Sequence, residues 1–218
     1  MLTDSLALRQ FGLTDLRITP LCVGCAGLSG MPEVFGYDVS EEQALAMLRE
    51  AFHSPINFLD TAAGYGDGES ERRIGIVLRE LGGLPAGCVL STKVDRDART
   101  GDFSGEQTHR SIQRSFSLLG LDHFQIVFLH DPETTTFENI MQPGGALEVL
   151  LRYKEQGVIE YVGVAGGPID LMIRYIETGA FDAALTHNRY TLLNRAAEPL
   201  LQIATARKMA ILNAAPYG

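Results

Sequence analysis

The chain has 218 residues, of which 45% are hydrophobic and 21% are charged, as is typical of a folded globular domain. This composition excludes a collagen, a coiled coil or a disordered polypeptide. The formal net charge of −9 argues against a nucleic acid or an anionic membrane as partner. No apolar stretch has the length of a membrane span, and the first residues, including Asp4, lack the apolar run of a signal peptide. Because three cysteines are too few for a disulfide framework, we expect a cytoplasmic protein.

Short apolar segments alternate with longer amphipathic segments along the chain. The apolar segments show little polar alternation, which predicts parallel strands that are covered on both faces. The predicted strands are 19–24, 56–60, 88–94, 124–130, 160–166, 182–187 and 210–215. The predicted helices are 41–53, 70–82, 105–119, 144–157, 168–178 and 196–208.

Several predicted helices have recognisable ends. Ser40 and Ser104 are predicted N-caps, because a short hydroxyl side chain at this position accepts a hydrogen bond from the first helical turn. Gly120 and Gly157 are predicted to end their helices, since glycine readily adopts the left-handed conformation that follows a helix.

The predicted strand–helix units repeat every 32 residues or so, which indicates one domain over residues 1–218. The pattern predicts a (β/α)8 TIM barrel that stops after its seventh strand, because an eighth unit would bring the chain to about 250 residues. We therefore expect a truncated or incompletely represented barrel. An open, doubly wound sheet is the alternative. Residues 6–21 alternate around a turn and predict a β-hairpin at the bottom of the barrel.

Polar residues end three consecutive predicted strands. Asp60 ends one strand, Lys93 lies near the end of the next, and His130 ends the third, while Tyr65 follows Asp60 in a glycine-rich loop. Neighbouring strands lie about 4.8 Å apart, and active sites of α/β barrels lie at the carboxyl ends of the strands. Each residue alone is equally consistent with capping, packing or surface exposure, but the set predicts a catalytic site.

Three segments carry a family resemblance in their order and spacing: DTAAGYGDGESERRIG, VLSTKV and FLHDPE. Together they resemble the aldo-keto reductase superfamily. The segments LCVGCAGLSGMP, NRYTLL and LNAAPYG are similar to its branch of aldose 1-dehydrogenases, which act on L-fucose, D-threo-aldoses or L-galactose. The resemblance implies a barrel enzyme that uses NADP or NAD on a small-molecule aldose or carbonyl substrate.

The resemblance also implies a catalytic tetrad of Asp60, Tyr65, Lys93 and His130. Tyr65 would be the acid–base group, Asp60 would hold Lys93 charged, and His130 would donate a hydrogen bond to the substrate oxygen. The ordinary pKa of tyrosine is near 10, so we expect Lys93 to lower the pKa of Tyr65 towards 7. A lysine ammonium about 4 Å away could supply the roughly 4 kcal/mol required. The implied reaction oxidises an aldose hemiacetal at C1 to a lactone, or reduces a related aldehyde or ketone.

The implied cofactor site departs from the family pattern. Ala165 and Gly166 replace a Ser–Asn pair, His187 replaces a glutamine, and Ala214 replaces an aromatic residue that stacks on nicotinamide. We interpret these replacements as features of the branch. The positions implied to bind the cofactor are Gly24, Cys25, Ala26, Asp60, Ala165, Gly166, His187, Asn188 and Ala214.

Two further groups have a possible ligand-binding role. Cys22 and Cys25 are spaced as in a redox or zinc motif, but no second ligand pair accompanies them and residues three apart on a strand face opposite sides. We therefore expect no metal. The loop after His130 either holds sugar hydroxyls, through Asp131, Glu133 or Asn139, or is simply solvated.

Two other functions fit the same residues. Lys93 could form an imine with a carbonyl substrate, as in a Schiff-base lyase. A barrel without its last unit could instead be a non-catalytic binding protein.

Overall fold

The computed structural model describes residues 6–217, so Asp4, on which the prediction of no signal peptide partly rests, lies outside the described residues. The strands are β1 Arg9–Gln10, β2 Arg17–Ile18, β3 Val23–Gly24, β4 Phe58–Asp60, β5 Val89–Val94, β6 Phe124–His130, β7 Ile159–Gly166, β8 Ala183–His187 and β9 Ala210–Ala214. The helices are α1 Pro32–Phe35, α2 Glu41–His53, α3 Glu69–Leu81, α4 Gly105–Leu119, α5 Phe137–Met141, α6 Ala146–Glu155, α7 Ile169–Glu177 and α8 Glu198–Ala206. Among these helices of residues 6–217, none is both long and apolar enough to cross a bilayer.

Seven strands, β3 to β9, form one parallel sheet whose spatial order follows the order of the chain. A doubly wound sheet would reverse its strand order at a switch point, so that alternative is wrong. The architecture is the predicted α/β barrel, and β1 and β2 form the predicted antiparallel hairpin. In the described part of the chain, β3 and β9 are the two end strands and do not pair with each other.

Alternate side chains of each strand face the barrel interior and the surrounding helices. In β6, Ile126 and Phe128 belong to the interior cluster, whereas Val127 and Leu129 belong to the cluster that packs under the helices. Both faces are therefore buried, as expected for parallel strands. Because side chains alternate with a period of two, His130 shares the interior face with Ile126 and Phe128.

The hairpin closes the amino-terminal end of the barrel. Phe11, between β1 and β2, is 3% exposed and packs edge-to-face on Phe58, with the ring centres 5.8 Å apart. Phe58 is the first residue of β4, so the contact lies at the bottom of the interior. The predicted position of the hairpin is confirmed.

The predicted helix ends are also confirmed. Ser40 accepts a hydrogen bond from the Gln43 amide, and the Gln43 side chain accepts one from the Ser40 amide, which completes a capping box. Ser104 caps α4 in the same way through its hydroxyl. Gly120 follows α4 with a φ of 70°, and Gly157 lies one residue beyond the C-cap of α6.

The largest differences from the predicted elements are at short segments. Only Val23–Gly24 of the predicted strand 19–24 pairs with β4, because Pro20 lacks an amide and Thr19 bonds to the Asn57 side chain instead. The helices α1 and α5 have four and five residues, too few to show a helical period in the sequence.

Gly163 in β7 lies directly beside a large interior side chain. A Cβ at this position would come within 2.3 Å of the Phe128 ring on the neighbouring strand. We expect Gly163→Ala to lower the free energy of unfolding by about 1–3 kcal/mol, because the added methyl group would force the Phe128 ring or the backbone to move. Urea unfolding would measure the loss. Gly24→Ala is the control, since its Cβ would meet no atom within 4 Å; equal losses in both variants would contradict the packing argument.

Candidate active site

The parallel strands bring three polar side chains to the carboxyl end of the barrel interior. Asp60 is the last residue of β4 and pairs in register with Ser91 of β5, two residues before Lys93. Lys93 pairs with Phe128 of β6, two residues before His130. These two-residue steps keep Asp60, Lys93 and His130 on the interior face. Tyr65 lies on the loop between β4 and α3.

The Lys93 ammonium is buried and fully hydrogen-bonded. The residue is 1% exposed, and Nζ donates to Asp60 Oδ2 at 2.6 Å, to the Thr61 carbonyl at 2.7 Å and to Tyr65 Oη at 3.0 Å. An ammonium has three donors, so each one has an acceptor. Nζ also lies 4.7 Å from the centre of the Tyr65 ring.

Lys93 carries its charge in this environment. Burial lowers the pKa of Lys93, but Asp60 and Tyr65 together raise it by more than burial lowers it. The net pKa therefore lies above the ordinary lysine value. A Schiff base requires a neutral amine that can approach a carbonyl carbon. A buried, charged ammonium with all its donors engaged therefore argues against the lyase alternative.

The pKa of Tyr65 does not follow the expectation from the sequence. Burial raises the pKa of Tyr65, Lys93 lowers it, and the net pKa lies above the ordinary tyrosine value. The expected fall towards 7 is therefore wrong, because removal of water destabilises the phenolate more than one cation stabilises it. Tyr65 keeps its proton at neutral pH. Since Lys93 donates to Oη, the hydroxyl hydrogen remains available to a ligand.

His130 is held by a residue that the sequence analysis missed. His130 Nδ1 lies 2.7 Å from Asp95 Oδ1, and the Gly64 amide donates to Asp95 Oδ2 at 2.6 Å. The His130 ring also packs edge-to-face on the Tyr65 ring at 5.6 Å. Asp95 directly follows β5. Its position at the end of a buried strand could have indicated a functional residue from the sequence alone.

A second polar cluster lies at the ends of β6, β7 and β8. The Gly167 amide donates to Glu133 Oε1 at 3.0 Å. Among the described residues, Asp131 Oδ1 and Glu133 Oε2 are buried atoms without a hydrogen-bond partner. One ligand atom from each of Asp131, Glu133 and His187 lies within 4.8 Å of the others. Such a cluster can accept hydrogen bonds from a ligand or coordinate a cation.

Most positions implied to bind the cofactor surround this same end of the barrel. Ala165 pairs in register with His130, and Ala214 pairs with His187. A Cβ at Gly166 would lie 2.8 Å from Glu133 Oε2, so this backbone lies directly against the acidic loop. Gly24, the last residue of β3, pairs in register with Asp60, and Ala26 follows two residues later. Asn188 directly follows β8.

The side chain of Cys25 faces away from this site. Cys25 is fully buried in the cluster under the helices, whereas Cys22 packs with the interior cluster, so the two thiols face opposite sides as predicted. The Cys25 amide donates to the Asp60 carbonyl, and its carbonyl accepts from Ser70. Burial raises the pKa of Cys25 to about 12. The thiol is therefore not placed to contact a ligand at the strand ends.

Two openings reach these residues. A cavity of about 860 Å³ borders Asp95 and the glycines on either side of Tyr65. A groove of about 730 Å³ between β3 and β9 reaches Asp60 and Ala214. The cavity beside Asp95 therefore offers a small ligand an approach to the loop that carries Tyr65.

The sequence matches the model of the Aldo/keto reductase family over residues 20–218. The chain belongs to the aldo/keto reductase family. It is 33% identical to an L-galactose dehydrogenase of Arabidopsis thaliana, over 72% of this chain and 47% of that protein. It is 28% identical to a D-threo-aldose 1-dehydrogenase of a Pseudomonas species, over 73% of this chain and 54% of that protein. The chain thus spans about half the length of these two relatives.

Solved structures show the same fold. The chain superposes on an aldo-keto reductase from Pseudomonas aeruginosa with a TM-score of 0.77 and 28% identity, over 97% of this chain and 79% of that one. The seven-stranded barrel described above is therefore the barrel of the aldo/keto reductase family.

A buried carboxyl group contacts β5, the strand that carries Lys93. Glu71, on α3, is 0% exposed, and its Oε1 accepts a hydrogen bond from Thr92 Oγ1 at 2.5 Å. Its Oε2 has no hydrogen-bond partner among the described residues. Burial raises the pKa of Glu71 to about 7.

This raised pKa predicts a pH-dependent stability. Between its ordinary pKa of 4.5 and about 7, Glu71 is protonated in the folded state and ionised in the unfolded state. Stability from this group is therefore complete below pH 4.5 and is lost as pH rises towards 7. We expect Glu71→Gln to be more stable than the unsubstituted protein by up to about 3 kcal/mol above pH 7, and equally stable near pH 4.5.

Urea unfolding at several pH values would measure this difference. Glu106→Gln, at a side chain that is 81% exposed, is the control and should follow the unsubstituted protein. Parallel stability curves for Glu71→Gln and the unsubstituted protein would contradict an ionisable, buried Glu71.

Proposed function

We propose that this chain forms the active site of an NAD(P)-dependent oxidoreductase that oxidises an aldose hemiacetal at C1 to a lactone, or reduces a related aldehyde or ketone. One observation carries the proposal: the hydrogen bond from a buried, charged Lys93 to the hydroxyl of Tyr65, next to His130 at the strand ends. The names of two relatives, L-galactose dehydrogenase and D-threo-aldose 1-dehydrogenase, support a sugar as substrate.

Tyr65 is the group that moves a proton at the substrate oxygen. During reduction it gives its hydroxyl proton to the forming alkoxide, and during oxidation it takes the proton from the C1 hydroxyl. Lys93 stabilises the negative charge on Oη whenever Tyr65 lacks its proton, since the two atoms are 3.0 Å apart in a buried site. Asp60 keeps Lys93 charged and directed towards Tyr65 through the 2.6 Å ion pair.

The residues at the strand ends fit a nicotinamide cofactor. NADP or NAD would accept or supply the hydride at the reacting carbon. A carboxamide offers two N–H donors, and Asp131 Oδ1 and Glu133 Oε2 are buried acceptors without partners among the described residues. Ala165 and Gly166 have no polar side chain that could bind the carboxamide. The two acidic groups would bind it instead. His187, Asn188, Ala214, Gly24 and Ala26 would line the rest of the cofactor site.

The cellular setting we propose follows from the cysteines. Cys22, Cys25 and Cys88 all carry free thiols. Free thiols are typical of a reducing compartment, which supports the cytoplasm as the place where this enzyme acts.

The role of Tyr65 predicts a selective loss of turnover. We expect Tyr65→Phe to lower kcat by about 10²–10⁴-fold, because the proton-transfer group is lost, while cofactor affinity changes little. Nicotinamide absorbance with L-galactose would measure turnover, and calorimetry with NAD and NADP would measure binding. Tyr161→Phe is the control, since that hydroxyl bonds to Asp15 of the hairpin loop at the opposite end of the barrel.

The outcomes of this experiment are distinct. Full turnover by Tyr65→Phe would exclude Tyr65 as the acid–base group. Failure of the unsubstituted protein to bind either cofactor would instead favour the non-catalytic barrel.

The role of Glu133 predicts a loss of cofactor affinity. We expect Glu133→Gln to weaken NAD or NADP binding about tenfold, because an N–H group would replace one carboxylate oxygen and an acceptor would be lost. Calorimetry would measure the dissociation constant. Glu138→Gln, on α5 and paired with Arg174 at the surface, should bind as the unsubstituted protein does. Equal affinity in both variants would refute a contact between Glu133 and the cofactor.

A further inference from the structure

His130 is bonded through one ring nitrogen to a carboxylate that is itself fixed by the backbone. Asp95 Oδ1 lies 2.7 Å from His130 Nδ1, and its Oδ2 accepts the Gly64 amide at 2.6 Å. The side chains of His130 and Asp95 are only 13% and 20% exposed. The Asp95 amide in turn donates to Ser111 Oγ at 3.1 Å, which anchors the loop to α4.

This geometry determines which nitrogen of His130 carries the proton. A carboxylate only accepts hydrogen bonds, so Nδ1 must be the donor to Asp95. In the neutral imidazole, Nε2 then carries a lone pair and is an acceptor. Within the described residues, Nε2 makes no hydrogen bond, and it lies 3.9 Å from Asp131 Oδ1.

We propose that Asp95 is a positioning residue that holds His130 as the Nδ1–H tautomer and thereby presents Nε2 to the substrate as a hydrogen-bond acceptor. Asp95 acts on Tyr65 as well, because it binds the amide of Gly64, the residue that precedes Tyr65. One carboxylate thus sets the positions of two side chains that face the substrate.

The proposal, which rests on the proposed function, narrows the substrate class. A neutral His130 in this tautomer cannot donate to a carbonyl oxygen through Nε2, as the family resemblance implied. It can accept a hydrogen bond from a hydroxyl beside the reacting carbon. Aldoses carry such a hydroxyl at C2, whereas a plain aldehyde or ketone does not. The site therefore favours hydroxylated carbonyl compounds and their hemiacetals.

The tautomer can be read directly by NMR without any substrate. Long-range ¹H–¹⁵N correlation at about pH 9, where ordinary imidazoles are neutral, distinguishes Nδ1–H from Nε2–H. Loss of one signal set in His130→Asn assigns the residue. We expect Nδ1–H in the unsubstituted protein. A predominant Nε2–H tautomer there would overturn the proposal, whatever the variants show.

Asp95→Asn tests the cause of the tautomer. The Gly64 amide needs an acceptor, so the side-chain oxygen of the variant should take the place of Asp95 Oδ2. The NH₂ group of the variant should then face His130 Nδ1. We therefore expect His130 to switch to Nε2–H. Asp102→Asn is the same change on the same loop, at a side chain whose partners within residues 6–217 are Ser104 and Arg110. It should leave the tautomer unchanged. The same His130 tautomer before and after Asp95→Asn would overturn the proposal.

Turnover provides the second measurement. We expect Asp95→Asn to lower kcat about 10–100-fold, as loss of an orienting hydrogen bond to a functional imidazole does elsewhere. The ratio of kcat/KM for L-galactose to that for its 2-deoxy analogue should fall about tenfold, because the acceptor for the C2 hydroxyl is lost. An unchanged ratio would refute the contact with the hydroxyl. If neither sugar is turned over, the proposed function fails, while the NMR result still decides the role of Asp95.

Discussion

The buried ammonium of Lys93 is the constraint on which the candidate site depends. A charge that is 1% exposed must be paired and fully hydrogen-bonded, because its transfer from water costs several kcal/mol or more. Asp60, the Thr61 carbonyl and Tyr65 supply the three acceptors. The end of β4, the loop after it and the end of β5 are therefore tied together at one atom. Displacement of any of these segments would leave a buried charge without a partner.

The arrangement of the strands provides the geometry that this ion pair needs. Asp60 accepts from Ser91 in the next strand at 2.6 Å, and Lys93 lies two residues further along that strand. The same two-residue step leads from Phe128 to His130. The stagger of a parallel barrel thus places the side chains that face the interior in a ring at the carboxyl ends of the strands. The glycine at 163 gives Phe128 the room to fill the interior below that ring.

Carboxyl groups around the ring act differently according to their surroundings. Asp60 is paired with a cation, Asp95 is held by a backbone amide and an imidazole, and Glu71 is buried against Thr92 of β5 with a raised pKa. Glu133 has one oxygen bound to a backbone amide and one without a partner among the described residues. Environment, more than residue type, therefore decides which carboxyl group supports the fold and which is available to a ligand.

The sequence by itself determined the strand–helix order, the helix caps, the hairpin and the choice of Asp60, Tyr65, Lys93 and His130. These features depend on local spacing, side-chain parity and residue type, which a linear pattern records. Only the tertiary structure decided that burial outweighs Lys93 in setting the pKa of Tyr65, and that Asp95 and His130 form a pair. Both depend on distances and on the exclusion of water between segments far apart in the chain. No local pattern encodes either quantity, because desolvation exists only once the strands and loops have packed.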